Sequence, residues 1–399
     1  MNIVCLSSVE DPDFIEAGRL KEKLSTADSN YNYRIISGLD KNNDRDCVLL
    51  NYVPVGSYPD YKKMILNTKR WKKDERKNSY NIGFINITGL KYVSLTINYI
   101  LKLNIILRHT QEKVYVVCYD LYLPFLLAVN YLKKRNYNLI SCLIVPAFPE
   151  HVMRNSLKER IKGKLSKMIM KEAEKYDCFV FLTKQMKEKI RTENYTVVEG
   201  IIPDEYKHLP IIKKAKDENS EFSIVYTGRL DRIFHIDLLI DAVKRIEKYK
   251  VELILCGHGD LVEEIKGICS LDTRIRYRGF LNAAELSDLQ RNADILINTR
   301  FPEGEYTKYS FPSKTMEYLA SGTPVLMYEL PGIPEEYAPY LNYLKGKTAE
   351  AIQFEIERMI NGCISGNAII KAQNAKRYVA QHKDSAAQGK KVLDLLKKQ

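Results

Sequence analysis

Short, continuous apolar runs recur along this chain, and helical patterns separate them. In the first half the runs are NIVCLS, YRIIS, CVLLNYV, VYVVCYD, LISCLIVPA, CFVFL and YTVVEG; in the second they are SIVYTG, VELILCG, RIRYRG, ADILINT and TPVLMY. A run that is apolar at every position, rather than at alternate ones, makes a strand buried on both faces. Such strands belong in parallel sheets with helices over each side. Helical patterns fall where that arrangement needs them, at 121–134, 153–175, 235–249, 260–270, 283–291 and 312–321. The expected class is α/β, with two Rossmann-like doubly wound domains facing across a cleft. Ligands of such sheets bind beyond the carboxyl ends of the strands.

The polar, charged stretch KHLPIIKKAKDENSEFS separates the two series. It predicts a first domain over 1–206, a linker over 207–222 and a second domain over 223–383. A final helix over 384–399 carries Val392, Leu393, Leu395 and Leu396 and is free to pack back on the first domain.

Composition narrows the function classes. The eight cysteines form no CxxC pair and mostly sit inside apolar runs. Buried, reduced thiols are the expectation, and with them a reducing compartment such as the cytoplasm. The first residues, MNIVCLSSVEDPD, read as a strand rather than a signal peptide. No run of 18 uncharged apolar residues occurs, so no transmembrane helix is expected. The net charge of +12 suits anionic partners. It concentrates in residues 62–77, which include Trp71, and in 153–175, where Met153, Leu157, Ile161, Leu165, Met168 and Ile169 recur at helical spacing. A basic amphipathic helix of that kind either packs its stripe on the core or lies on an anionic membrane surface. Nucleic acid is not expected, because no zinc-finger, RNP-like or helix-turn-helix signature accompanies the charge.

Three stretches at strand ends carry chemistry. In YTGRLDR, Gly228 permits a tight turn and Arg229 suits a phosphate, which it grips through parallel N–H donors. In CGHGD, Gly257 and Gly259 begin a phosphate-loop pattern without completing it. In FPEGEYTKYSFPSKTMEYLASG, Pro312 and Gly322 bracket a helix. Its first-turn amides make an anion site to which Lys314 adds charge, with Ser313 beside it. Glu317 lies five residues in from Pro312, about 7.5 Å along the axis, roughly the step from a diphosphate to the adjoining ribose. Taken alone, Glu317 fits an ion pair or a helix-dipole carboxylate better. Asp120 ends a strand and either contacts a ligand or caps the next helix. Glu150 and His151 follow another strand and are candidates to orient or deprotonate an acceptor hydroxyl. Asp44 and Asp46 form a DxD pair, but before a strand rather than after one, and no metal site is expected there.

Together FPSKTMEYLASGTPVL, YTGRLDR, LILCGHGD, RYRGFLNAAEL and ADILINTR resemble, in order and spacing, the family 4 glycosyltransferases of GT-B fold, also called glycosyl transferases group 1. The resemblance covers roughly 223–337. Tyr119–Val129, Val145–Val152 and Lys175–Met186 look like members that build cell-surface polysaccharides. The resemblance implies a retaining transfer of a sugar, of hexosyl type, from a nucleotide-sugar donor to the hydroxyl of a lipid-linked or growing saccharide acceptor, with no cofactor and no metal. Arg229 matches the residue that grips the donor diphosphate, with Gly228, Gly257, Ser313 and Lys314 about it, and Glu317 matches the glutamate on the ribose. Tyr309 stands where that family places its other glutamate, and Phe234 where it places a lysine. Arg232 and Lys314 are the candidates to supply the missing charge; Glu305, Tyr306 and Lys308 are candidates for the sugar. Arg229, Glu150 and His151 are then the catalytic candidates, and Asp120 the acceptor contact. The same fold also hosts nucleotide-sugar epimerases, phosphorylases and inactive partner subunits. The implied setting is cytoplasmic, with peripheral attachment to the inner membrane face.

Overall fold

The computed structural model describes residues 1–10, 26–71, 79–135, 138–149, 157–211 and 216–399. The chain divides into two compact units, Met1–Ile201 with Ser385–Gln399, and Ile202–Asp384.

In the first unit the strands are β1 (Asn2–Ser7), β2 (Val48–Asn51), β3 (Ile65–Leu66), β4 (Lys69–Arg70), β5 (Tyr80–Asn81), β6 (Phe84–Ile85), β7 (Val114–Tyr119), β8 (Leu139–Val145), β9 (Cys178–Phe181) and β10 (Tyr195–Val197). Its helices are α1 (Thr26–Lys41), α2 (Leu90–Arg108), α3 (Leu123–Lys133) and α4 (Leu157–Ala173). The sheet order is β10-β9-β8-β7-β1-β2-β5-β4, with β3 and β6 forming a separate antiparallel ribbon. Every pair in the large sheet is parallel except β4 with β5. Strand order runs outward from β1 in both directions, so right-handed crossovers place helices on both faces. Helices α2, α3 and α4 pack side by side in one layer.

One expectation is corrected here. The run YRIIS is not a strand but lies within α1. β1 pairs directly with β2, Val4 opposite Val48, and a parallel crossover between neighbours needs a helix. Ile35, Ile36 and Leu39 supply its buried face. α2 is long and apolar enough to cross a membrane by length and composition. Its Leu95, Tyr99, Leu103 and Leu107 are nevertheless buried in the unit. Trp71, set in a basic stretch, is a core residue only 2% exposed.

The second unit carries β11 (Glu221–Arg229), β12 (Lys250–His258), β13 (Ile275–Tyr277), β14 (Ile295–Asn298), β15 (Val325–Met327) and β16 (Asn342–Tyr343). Its helices are α5 (Ile236–Lys244), α6 (Val262–Leu271), α7 (Ala283–Asn292), α8 (Ser313–Ser321), α9 (Ala349–Ile364) and α10 (Asn367–His382). The order is β13-β12-β11-β14-β15-β16, parallel throughout. The chain winds outward from β11 to β13, then returns to β14 on the other side of β11. The point of reversal lies between β11 and β14, where such sheets open a crevice at their carboxyl ends.

The last helix, α11 (Ser385–Lys397), belongs to the first unit and packs along α1. Val392, Leu393, Leu395 and Leu396 share one core with Ile3, Ile35, Leu39 and Trp71. The two helices cross at a pair of glycines. A Cβ on Gly389 would stand 2.1 Å from the Gly38 carbonyl carbon, and one on Gly38 would stand 2.0 Å from the Ser385 oxygen. Lys41 Nζ donates to Ser385 Oγ (2.7 Å) and Asn42 Nδ2 to the Ala386 carbonyl (2.8 Å). All eight cysteines are free; Cys269 is half-buried and the others buried.

Candidate active site

The reversal point of the second sheet gathers most of the residues singled out in its sequence. β11 ends in Gly228 and Arg229, and β14 leads through residues 299–312 into α8. Helix α8 begins after Pro312, which offers no side-chain cap, and ends at Gly322 in left-handed backbone (φ 76°). The first amides of α8 are therefore uncapped, and they carry the positive end of the helix dipole. Tyr318 fixes the helix to the strand: the Thr227 N–H donates to its hydroxyl (3.0 Å), and Thr227 Oγ1 lies 3.1 Å from it. Burial pushes the Tyr318 phenol well up, so it stays protonated for this task.

That clasp brings Lys314 over the strand end. A Cβ on Gly228 (φ 144°) would meet Lys314 Cε at 3.8 Å. Burial raises the neighbouring Cys256 thiol to about 11, while Arg278 and Lys314 pull it the other way. Glu317 follows one turn later. Its side chain is 24% exposed, and Oε2 lies 3.7 Å from Lys314 Nζ, an ion pair too long for a hydrogen bond. The same oxygen is buried without a hydrogen-bond partner. A dry carboxylate oxygen left unpaired is costly, which favours a role for Glu317 beyond its ion pair. Ser313, exposed, occupies the first position of the helix.

The glycines of CGHGD serve a different need. A Cβ on Gly257 (φ 135°) would stand 1.7 Å from the Gly228 carbonyl oxygen, and one on Gly259 would stand 2.3 Å from that of Leu230. The ends of β11 and β12 approach so closely that only glycine fits. Leu230 N–H donates to the His258 carbonyl (2.8 Å), and Asp260 N–H to Asp231 Oδ1 (3.0 Å), tying the two loops together.

Arg229 is 64% exposed and donates through Nε to Asp231 Oδ2 (2.5 Å). Burial alone would raise Asp231, but Arg229 and the Asp260 N–H outweigh it and hold the carboxyl below its usual range. Arg229 is thus oriented yet open to solvent, ready for a second anion. Arg232 is engaged elsewhere, by Asp237 (2.9 Å) and Glu264 (2.7 Å). In the loop before α8, Tyr309 Oη and Glu305 Oε1 are 3.5 Å apart, which keeps a carboxylate close to Tyr309. Tyr306 and Lys308 are exposed, and Phe234 accepts a hydrogen bond on its carbonyl from Thr299 Oγ1 (2.6 Å).

Sequence reasoning missed Arg300. It follows β14 at the reversal point, donates to Ser310 Oγ (2.9 Å), and lies over the Tyr306 ring (4.7 Å). Its Nε is buried without a partner. The signal was present, since Arg300 ends its strand run as Arg229 ends its own.

In the first unit, Asp120 directly follows β7 in left-handed backbone (φ 76°), rare for a residue other than glycine. Its Oδ1 accepts the Leu121 N–H (2.6 Å). Although accessible at its edge, the carboxyl is closely surrounded, and desolvation raises it above its usual range against the pull of the Leu121 N–H. Glu150 and His151 lie outside the described residues. Asp44 and Asp46 are exposed in the turn before β2. Among the described residues no group of three or more His, Cys, Asp and Glu is placed to hold a metal ion.

Known proteins share this fold. Residues 221–361 match the model of the family described as glycosyl transferases group 1. No curated protein matches the sequence. Among solved structures, sucrose-phosphate synthase from Thermosynechococcus elongatus superposes with TM-score 0.65 at 13% identity, covering 100% of this chain and 99% of its own. The lipopolysaccharide outer core galactosyltransferase WaaB, in its apo form, gives 0.64 at 15% identity, with 99% of each chain covered. Anabaena HepE in complex with UDP gives 0.59 at 14% identity over 100% of both chains. At these identities the likeness shows the fold. Residues 221–361 therefore carry the glycosyl transferases group 1 match, within a chain whose fold is that of GT-B glycosyltransferases.

Proposed function

We propose that the chain is a retaining glycosyltransferase that moves a sugar, of hexosyl type, from a nucleotide-sugar donor to an acceptor hydroxyl on a lipid-linked or growing cell-surface saccharide. One observation carries the reading: Glu317, with a dry unpaired oxygen, stands one turn beyond Lys314 and the uncapped start of α8. The donor diphosphate lies against the first amides of α8, Ser313, Lys314 and Arg229, and the ribose hydroxyls donate to Glu317. Gly228 leaves room for the phosphates. Glu305 and Tyr309 face the sugar.

The bond from the anomeric carbon to the leaving phosphate oxygen breaks first. Arg229, Lys314 and the helix amides take up the developing charge. The acceptor oxygen then bonds to the anomeric carbon from the same face, and its proton passes to the departing phosphate. Acceptor contacts are assigned to Asp120, Glu150 and His151. The cationic side chains and the helix dipole meet the charge of the leaving group, so the reading assigns no metal; chelation of divalent ions is expected to leave turnover unchanged.

The test is a thermal-shift screen with nucleoside diphosphates and their sugars. Ligands that bind the native state raise its melting temperature, and the strongest shift identifies the base. If no nucleotide moves the transition, the donor site is not there. Incubation with donor alone separates transfer from epimerisation, because a transferase leaves the donor sugar unchanged until acceptor is added.

A further inference from the structure

Helix α2 is apolar on two sides. Its inner side buries Leu95, Tyr99, Leu103 and Leu107. On its outer side Leu90, Val93, Ile97, Leu101 and Ile105 are each 50–56% exposed. At 100° per residue these five positions fall within an arc of about 120°, running about 22 Å along the axis. A surface helix normally fills that arc with charge. Here the only charged residue in it is Arg108, at its end.

The apolar surface continues beyond the helix. Ile65 and Ile85 pair across the β3–β6 ribbon, both exposed, with Met64 beside them. The Ile85 N–H donates to Ser94 Oγ (3.0 Å), which fastens the ribbon to the first turns of α2. An apolar surface this continuous marks an interaction site.

We propose that this face of α2 and the β3–β6 ribbon dock the first unit onto an anionic lipid bilayer, with the helix lying in the plane of the surface. Charge selects the occupant. Residues 76–111 contain no Asp or Glu. Lys62, Lys63, Lys69 and Arg70 are exposed around the ribbon, with Asp60 the single acidic residue among 60–70. In the same helical layer α4 exposes Ile161, Leu165 and Met168 among Arg160, Lys162, Lys164 and Lys167. A second copy of the chain would set one cationic rim against another, which like-charge repulsion opposes. Anionic headgroups complement the rim, and acyl chains accept the stripe between.

The face also begins at the end of the unit where chemistry is expected. The Tyr92 ring, in the first turn of α2, lies 5.7 Å from that of Tyr122, two residues after Asp120. A lipid-borne substrate held at the surface is thus delivered beside the carboxyl ends of the strands. The docking itself does not rest on the transferase reading, and the two fail separately.

The experiment sediments the full chain with vesicles of phosphatidylcholine alone, or of phosphatidylcholine with phosphatidylglycerol, at low and high salt. Binding is expected to the anionic vesicles, weakened but not abolished by salt. Ile97→Glu with Leu101→Glu is expected to lower the bound fraction at least tenfold without changing the melting temperature. Should that variant unfold, Lys62→Glu with Lys63→Glu tests the rim instead, with a several-fold loss expected. Wild-type protein that ignores anionic vesicles overturns the proposal, as do folded variants that bind like wild type. So does a wild-type dimer that the α2 substitutions dissociate while vesicles go unbound, which would make a second copy the occupant.

Discussion

Replacing Glu317 with Gln separates a ligand contact from a structural ion pair, because the two predict opposite changes. In the free protein the carboxylate keeps one oxygen dry and unpaired, 3.7 Å from Lys314. An i,i+3 ion pair on a helix contributes about 0.2–0.5 kcal/mol. Keeping a charged group unsatisfied and dry costs about 1–3 kcal/mol or more. The penalty is the larger of the two, so Glu317→Gln is expected to leave the free protein as stable as before, or slightly more so. With nucleotide bound the balance reverses. A hydrogen bond to a carboxylate contributes about 1.5–3 kcal/mol, against about 0.5–1.5 for a neutral acceptor. Exchanging two such bonds for neutral ones costs about 2–3 kcal/mol, a rise in Kd of roughly 30- to 150-fold. At a nucleotide concentration of about 100 times the wild-type Kd, binding stabilises the native state by about 2.7 kcal/mol. For a domain of 150–250 residues that is a shift of about 5–10 °C. With Kd raised about 100-fold the stabilisation falls to about 0.4 kcal/mol, or roughly 1 °C. Differential scanning fluorimetry of both proteins, with and without nucleotide, reads all four transitions. A variant that melts several degrees lower when free, yet keeps the full nucleotide shift, would refute the reasoning and make Glu317 a structural residue.

Three further outcomes follow from the geometry. Gly257→Ala places a Cβ 1.7 Å from the Gly228 carbonyl oxygen in backbone at φ 135°, so steric overpacking and strain together should cost more than about 3 kcal/mol; chemical denaturation of the purified variant measures it. Gly389→Ala should gain about 1 kcal/mol of helix propensity but lose more where α11 crosses α1, since its Cβ would meet Gly38 backbone at 2.1 Å. The fluorescence of Trp71, in the same core, reports the lower midpoint. Asp231 is held below its usual range in the folded chain, so its contribution is fully present above an unfolded pKa of about 3.9 and fades as pH falls through the folded value. The stability difference between wild type and Asp231→Asn should therefore shrink below about pH 4, as pH-resolved denaturation will show.

Much of the fold was legible because β7 and β8 are apolar almost throughout and β1, β11 and β12 have apolar, buried centres, which a sheet covered on both faces accommodates. Helix α8 was legible to within one residue because Pro312 and Gly322 act locally, by restricting or freeing backbone angles. YRIIS misled because an apolar run of that length satisfies strand and helix alike, and only the direct pairing of β1 with β2 decides. Helix α2 left little trace, since a helix apolar on both sides has no clear period. In the candidate site, residue types singled out Arg229, Lys314 and Glu317, but not which cations were already engaged. Arg232 is bound by two carboxylates that follow it by 5 and 32 residues, a pairing set by how α5 and α6 pack. The glycines of CGHGD looked like a phosphate loop because a close approach of two backbones and a close approach of backbone to phosphate select the same residue.

The place of α11 bears on the order in which the chain can fold as it is made. The chain leaves the first unit at Ile201 and re-enters it at Ser385. Four residues of the core around Trp71 are therefore synthesised only after the whole of the second unit. A ribosome that has released residues 1–201 has not yet supplied the helix that completes this core, so α1 must wait without its α11 partner while the second unit emerges. The second unit is continuous in sequence and can complete itself first, although it is translated later. Its own first and last backbone turns are joined by the Ile202 N–H donating to the Lys383 carbonyl (2.9 Å). Closing the second unit thus delivers α11 to where α1 waits, and a stop codon before residue 385 would strand the first unit with an open seam while leaving the second whole.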